Sequence, residues 1–253
     1  MMDNSHLFTS LAQLGTKNSP EKIKHSPCTL IYNALSMADE IPGSLKPDII
    51  ADLLAPFVGP THLMDSTVRA IGVYIDLLLR WNAKLNLTAI RDPQEIITRH
   101  FGESLFAAKL LFPADDSHAS VLDVGSGAGF PGVPIKLWCR SLDLILIDSN
   151  QRKATFLREV IRTLDLKSAV VLNERAETVS IRADLVTLRA VERFDRILPA
   201  ASGLVRPGGR IALLLGEAQL GAAQAALPSL AWHEPLPIPL TRNGRLLVGE
   251  TKV

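Results

Sequence analysis

Val121-Leu122-Asp123-Val124-Gly125-Ser126-Gly127-Ala128-Gly129-Phe130-Pro131-Gly132 is the stretch that decides the fold. A short apolar run bounded by turn residues reads as a buried strand, and here it gives way at once to four glycines in eight residues. Glycine lacks a Cβ and tolerates positive φ, so the chain can turn sharply and lie close against a ligand. From Gly127 the spacing is a literal GxGxxG, and Asp148 closes the next apolar run about twenty residues on. In parallel α/β folds a nucleoside sits at the carboxyl ends of the strands, its ribose hydroxyls on such a carboxylate. Gly125, Gly127, Gly129 and Asp148 are therefore expected to hold a nucleoside cofactor. A glycine turn without function is the plain alternative, and the strand before it and the acidic strand end after it speak against that.

Downstream the pattern alternates. Strands are expected at 144–148, 169–172, 184–188 and 211–215, with an amphipathic helix at 154–164 and a Pro207-Gly208-Gly209 turn before the fifth strand. Two further strands, near 232–240 and 245–250, flank Asn243-Gly244, a strong hairpin signal. Repeated βα units imply a Rossmann-like α/β sheet, mostly parallel, with helices on both faces and an antiparallel strand at one edge.

Upstream the period is helical. It begins near residue 48 and is clear from Val68, where Ile71, Ile75, Leu78 and Leu79 share a face, and it ends near Asn86-Leu87-Thr88. Asp92 as cap, Pro93 at the first turn and Glu95 at capping-box spacing open another helix, whose stripe Ile97, Phe101, Leu105 and Ala108 runs to about Leu111. Pro113 and the polar residues up to Ser120 mark a boundary. Residues 1–45 sustain no period and read as a loosely structured extension, followed by a helical region over 46–113 and the α/β domain over 118–253.

With 47% hydrophobic and 21% charged residues in 253, the chain has ample material for a core and is not disordered throughout. It contains no apolar run of about 18 residues and no secretory pattern at Met1–His6, so neither a membrane span nor a membrane partner is expected. Two cysteines, Cys28 and Cys139, cannot build a disulfide framework, which favours a reduced, cytoplasmic setting. No two of the six histidines stand at metal-ligand spacing, so no metal site is expected. The protein is expected to act as a monomer.

The net charge of +1 conceals a basic segment, 150–210, with twelve Lys and Arg against seven Asp and Glu. Arg152, Lys153, Arg158 and Arg162 fall on one helix there, and Arg189, Arg193 and Arg196 follow near strand ends. Such groups suit the phosphates of a polyanion, which they position rather than specify. Solvated helix faces are the alternative. Aromatic residues make up only 5%, too few for a base-stacking platform. Arg99 and His100 are open to two readings, RNA contact or helix packing.

Asp123, two residues before the first glycine, puts a carboxylate close to the ligand, while Pro131 and Pro134 crowd the helix start where a pyrophosphate would sit. That favours a cofactor bearing an ammonium or sulfonium group, and S-adenosyl-L-methionine carries both. The alternative is that Asp123 bonds the amides of its own turn.

Leu122 to Gly129 resembles the first motif of Rossmann-like S-adenosylmethionine-dependent methyltransferases, and Leu204-Val205-Arg206-Pro207-Gly208-Gly209 is similar to the loop before their fifth strand. Arg80-Trp81-Asn82 through Asn86-Leu87-Thr88-Ala89-Ile90-Arg91-Asp92-Pro93, then Arg99-His100, Gly125 to Gly132 and Arg152 to Arg158 together resemble one family. It is the RsmG (glucose-inhibited division protein B) family of small-subunit ribosomal RNA guanine-N7 methyltransferases. The resemblance implies a methyltransferase acting on 16S ribosomal RNA, whether naked, in a particle or in the small subunit. It also implies cofactor contacts from Gly125, Phe130, Asp148, Ala176, Glu177 and Arg189. Two departures stand out: Leu215 where relatives commonly carry Lys, and Glu103-Ser104 where they usually read Asp-Ser.

Guanine N7 has an available lone pair, so methyl transfer needs no prior deprotonation and can rest on positioning and electrostatics. The chain accordingly lacks a catalytic cysteine pair and an Asp/Asn-Pro-Pro-aromatic motif. Two further readings stay open. A nicotinamide-dependent oxidoreductase would share the glycine turn and Asp148, and a non-catalytic RNA-binding protein would share the basic surface.

Overall fold

Sequence local to each element explains why it forms. The structure, a computed structural model, describes residues 45–59, 63–114, 117–189 and 194–252. The expected extension, apart from Leu45, and Arg193 lie outside the described residues. Helix α1, Pro47–Val58, starts with its proline at the first turn, and α2, Asp65–Leu85, ends on Asn86 in the left-handed conformation. Helix α3, Pro93–Glu95, opens as expected: the Asp92 carboxylate accepts from the Glu95 amide at 2.8 Å. The chain then departs from the continuous α-helix read from the sequence. Ile96–Gly102 is a π-helical segment, and only from there does α4, Glu103–Leu111, run on. The wider turn re-aims the side chains it carries, Arg99 and His100 among them.

Strand β1, Ser120–Val124, leads through the glycine loop into α5, Gly132–Trp138, then β2, Asp143–Ile147, α6, Gln151–Thr163, and β3, Ala169–Leu172. A 3-10 turn, Ala176–Thr178, precedes β4, Ala183–Arg189, followed by α7, Phe194–Gly203, and β5, Val205–Gly216. The remaining elements are a 3-10 turn at Glu217–Gln219, α8, Leu220–Ala226, and strands β6, Ala231–Trp232, β7, Leu236–Pro237, and β8, Gly244–Glu250.

The sheet runs β3-β2-β1-β4-β5-β8-β6, with β7 also on β8. The first five strands are mutually parallel, and β8 enters antiparallel beside β5. All five residues of β1 are buried, as a central strand covered on both faces requires. Two local readings are corrected. Pro207-Gly208-Gly209 does not precede the fifth strand but lies within β5, where the register against β4 breaks between Ala183 and Leu185; extra residues in one strand are absorbed as a bulge. The strand expected at 232–240 is split into two two-residue pairings on β8, because Pro235, Pro237 and Pro239 cannot donate to a continuous ladder.

The α1–α4 helices are not a separate layer with its own core. Ile71, Tyr74 and Leu78 of α2 and Phe101 and Leu105 of the second helical run belong to the same buried cluster as Phe130, Leu146, Phe156 and Leu214.

Candidate active site

The parallel order places the carboxyl ends of β1, β2, β3 and β4 at one edge of the sheet, and the glycine loop is tied to that edge by its backbone. The Gly125 and Ser126 amides donate to the Ile147 carbonyl at 2.9 and 3.0 Å, and the Ser126 hydroxyl donates to the Asp123 carbonyl at 2.8 Å. Gly125, Gly127 and Gly129 all have positive φ, a conformation that side chains strain. At Gly129 a Cβ would also collide with the Tyr74 hydroxyl. At Gly127 it would meet only the Gly125 carbonyl, at 3.7 Å, so the loop leaves open space above this residue.

Asp148 stands directly after β2 and meets that loop. Its Oδ2 accepts from the Gly127 amide at 2.9 Å and its Oδ1 from the Asn150 amide at 2.8 Å, while Asn150 caps α6. A carboxylate offers about four lone-pair sites, so two acceptor positions remain for vicinal hydroxyls. Asn173 donates to the Asp148 carbonyl at 2.8 Å, drawing in the loop after β3. On that loop Ala176 is buried and Glu177 is exposed. The donor set thus suits a nucleoside: an open cradle, a carboxylate at the ribose position and a small apolar residue beyond.

Asp123 takes the alternative role. It is fully buried, with Oδ1 accepting from Thr187, its cross-strand neighbour, at 2.8 Å and Oδ2 from the Gly132 amide at 3.2 Å. Oδ2 holds the turn, and Oδ1 ties it to β4. Burial raises its pKa from 3.8 to about 6, against the lowering effect of these hydrogen bonds.

Tyr74, on α2, was not singled out from the sequence, although it lies at helical spacing from Ile71 and Leu78. Its hydroxyl donates to the Ala128 carbonyl, and its ring stacks on Phe130 at 5.5 Å and 9°. Phe130 is 6% exposed and also carries the His100 ring at 4.8 Å and the edge of Phe101 at 5.1 Å. Phe130 is thus a core residue within the glycine loop.

Arg189 ends β4 one residue beyond the Val124–Leu188 pair, beside the start of the glycine loop. Its Nη2 donates to Glu103 Oε2 at 2.9 Å and to the Arg99 carbonyl at 2.5 Å, and its Nη1 lies 2.9 Å from His100 Nδ1. The side chains of Arg189 and Glu103 are 12% and 9% exposed. Arg99 pairs with the other oxygen of the same carboxylate at 2.9 Å and is itself half exposed. Burial, with Arg189 and Arg99 adding repulsion, pushes His100 from 6.5 down to about 3. The two readings of Arg99-His100 therefore divide: His100 is packed into the protein, and Arg99 keeps a surface.

The helix α6 cations do not share one face. At about 100° per residue, Arg158 and Arg162 lie roughly 40° apart while Lys153 lies opposite Arg162. Arg152 and Arg158 are exposed, Lys153 is partly buried, and Arg162 is held by Glu159 at 2.6 Å.

Residues 67–236 match the family model described as GidB: rRNA small subunit methyltransferase G. The chain belongs to this family. A curated member from Stenotrophomonas maltophilia, named Ribosomal RNA small subunit methyltransferase G, is 44% identical over 145 residues, 56% of this chain and 66% of that protein, just under two thirds of its length. A member of the same name from Chloroflexus aggregans is 38% identical over 193 residues, 71% of this chain and 79% of the other. Among solved structures, the ribosomal protein L11 methylase of Lactobacillus delbrueckii subsp. bulgaricus superposes with a TM-score of 0.52 over 61% of this chain and 79% of its own, at 15% identity. At that identity the likeness concerns the fold, a Rossmann-like methyltransferase sheet.

The family motifs acquire a physical reason here. Asn82 clamps Thr88 by two bonds, donating to its carbonyl at 2.9 Å and accepting from its amide at 3.0 Å, and Thr88 Oγ1 lies 2.8 Å from His100 Nε2. Trp-Asn…Asn-Leu-Thr, Arg-His, the glycine loop and Arg189 are thus one connected cluster. Glu103 joins that cluster through its pair with Arg189.

Proposed function

We propose that this protein transfers a methyl group from S-adenosyl-L-methionine to N7 of a guanine in 16S ribosomal RNA, in the cytoplasm. The observation that carries this reading is the adjacency of two half-sites. One is the Gly127 cradle with Asp148, and the other is the Arg189–Glu103–His100 cluster packed on Phe130. S-adenosylmethionine, when bound, supplies an electrophilic methyl group on a sulfonium. Asp148 accepts the ribose hydroxyls, Gly125, Gly127 and Gly129 let the backbone approach, and Ala176 and Glu177 border the adenine. Phe130 and Arg189 lie at the reacting end.

The guanine N7 lone pair forms the new N–C bond as the C–S bond breaks, and the electron pair leaves on sulfur. No proton moves, which suits a site whose one imidazole is pinned in its neutral form. The base becomes cationic as the sulfonium is neutralised, so a positive charge moves across the site without changing the total. Glu103 beside Arg189 keeps the guanidinium from opposing that charge. Exposed Arg99, Arg152 and Arg158 are suited to hold RNA phosphates around this centre, with Lys153 and Arg162 less free to do so.

Incubation with radiolabelled methyl donor and 16S RNA or small subunits, followed by chain scission at N7-methylguanine, tests the reading. Label at a single guanine is the expected result. No transfer to any of these RNAs, or calorimetric binding of NAD in place of S-adenosylmethionine, would overturn it.

A further inference from the structure

The protonation of His100 follows from its neighbours. A guanidinium carries donors only, so His100 Nδ1, 2.9 Å from Arg189 Nη1, must accept. The imidazole proton then sits on Nε2 and is donated to Thr88 Oγ1 at 2.8 Å. Thr88 Oγ1 also accepts from the Ile90 amide at 3.1 Å, and Asn82 fixes the Thr88 backbone. The ring also stacks on Phe130, inclined by 28°.

Arg189 is consequently divided. Both Nη2 protons are spent on Glu103 and the Arg99 carbonyl, and one Nη1 proton on His100. The Nε–H and the second Nη1–H carry no bond to a described residue.

We propose that His100 is a positioning residue for Arg189: its Nδ1 lone pair, aimed by Thr88, locks the guanidinium so that one remaining N–H donor reads the carbonyl oxygen of the target purine and leaves its N7 unbonded. The need for such a lock is chemical. An unrestrained arginine takes guanine O6 and N7 together, its commonest contact with that base. An N–H bonded to N7 would occupy the lone pair that must attack the methyl group. Restraint at three points prevents the rotation that would bring both donors onto the ring. A protonated imidazole would point a proton at Arg189 instead of a lone pair. Burial and the two neighbouring guanidinium groups keep the ring neutral well below physiological pH, so the acceptor is always present.

This inference rests on the reading of Arg189 as the residue beside the reacting atoms, and the test separates the two. His100→Ala, His100→Asn, Arg189→Ala and the double variants of His100 with Arg189→Ala are assayed in the full chain for kcat, RNA KM and S-adenosylmethionine affinity. His100→Ala is expected to lower kcat by about 10- to 100-fold while RNA KM and cofactor affinity stay within about threefold, the signature of lost alignment. Asparagine, whose carboxamide oxygen can stand in for Nδ1, should recover about tenfold of that loss. In the Arg189→Ala background the His100 substitutions should change kcat by less than about twofold, because there is no guanidinium left to position. Additive losses in the double variants, or an asparagine variant as slow as alanine, would overturn the proposal. Wild-type kcat in Arg189→Ala would instead sink the reading of Arg189 itself. Should the His100 variants fail to melt cooperatively, Thr88→Val and Thr88→Ser decide. The valine is expected to lose about tenfold in kcat and the serine to recover most of it; a valine variant at the wild-type rate refutes the lock.

Discussion

Replacing Asp123 by Asn distinguishes the two roles the sequence left open for this carboxylate. Asp123 is fully buried and ionises at about 6 rather than 3.8, so at pH 7.5 it is held charged where burial disfavours the charge. The difference is worth roughly 3 kcal/mol. Asn keeps both partners: its oxygen can accept from the Gly132 amide, and its amide can donate to Thr187 Oγ1, whose own proton can turn to the Leu122 carbonyl. It therefore mimics the protonated acid. A raised pKa contributes stability below 3.8 that is lost as pH rises through about 6, so the Asn variant should gain most at high pH. At pH 7.5 it should melt about 5–10 °C above wild type, and by pH 5 the difference should fall to about half. His100 works in the opposite sense, because its lowered pKa costs stability as pH falls from 6.5 toward about 3. That contribution is common to both proteins and cancels in the difference. Paired thermal scans at the two pH values supply the stability data, and titration with S-adenosylmethionine supplies the affinity, which should stay within about threefold. A pH-independent difference, or a destabilised Asn variant, would refute the burial argument. An affinity loss beyond about tenfold would make the carboxylate a partner of the cationic cofactor after all.

Asp148→Ala should weaken S-adenosylmethionine binding by about 1–3 kcal/mol and also leave the Gly127 amide unpaired; unchanged affinity by calorimetry would rule out the ribose assignment. Glu103→Gln retains an acceptor but strips the charge that balances a largely buried Arg189, so it should cost about 2–3 kcal/mol, or roughly 5–10 °C in melting temperature. A melt within a degree or two of wild type would mean the pair contributes little. Reversing Arg152 and Arg158 should lower the slope of log affinity for RNA against log salt by about one per lost contact. Reversing Arg162, already engaged by Glu159, should do less. Slopes that do not respond would move the RNA footprint to the surface around Arg99.

The legible parts of this protein are those where a local pattern has one physical solution. Val121–Val124 followed by glycines can be little other than a buried strand and a tight loop, and β1 and its positive-φ glycines follow. Asp92-Pro93 reads equally directly as a helix start. The π-helical segment was not legible as such, because Ile97, Phe101, Leu105 and Ala108 also satisfy an ordinary apolar stripe. Two successive spacings of four were the only hint of a widened turn. The direction of Asp123 depends on Thr187, 64 residues away, and no window along the chain contains both. The same holds for Arg189 and His100, which are 89 residues apart.

That last separation also explains why the α1–α4 helices and the sheet should be regarded as building one site. The sheet alone supplies a glycine loop and the Asp148 carboxylate at a strand end, the parts any nucleoside-binding α/β protein needs. What narrows the chemistry arrives from the helices and the connection between them: Tyr74 under the loop, Thr88 and His100 fixing a guanidinium, Glu103 balancing it. Tyr74, His100 and Glu103 each reach across to the loop or β4 through a hydrogen bond, ion pair or ring contact, and Thr88 acts on β4 through His100. Buried polar clusters of this kind are costly unless every member is satisfied, and no buried side-chain nitrogen or oxygen among the described residues lacks a partner. A π-helical turn is an unfavourable way to build a helix. Its place here, carrying Arg99 and His100 onto Arg189, is where a distortion of the helix serves the geometry of the site.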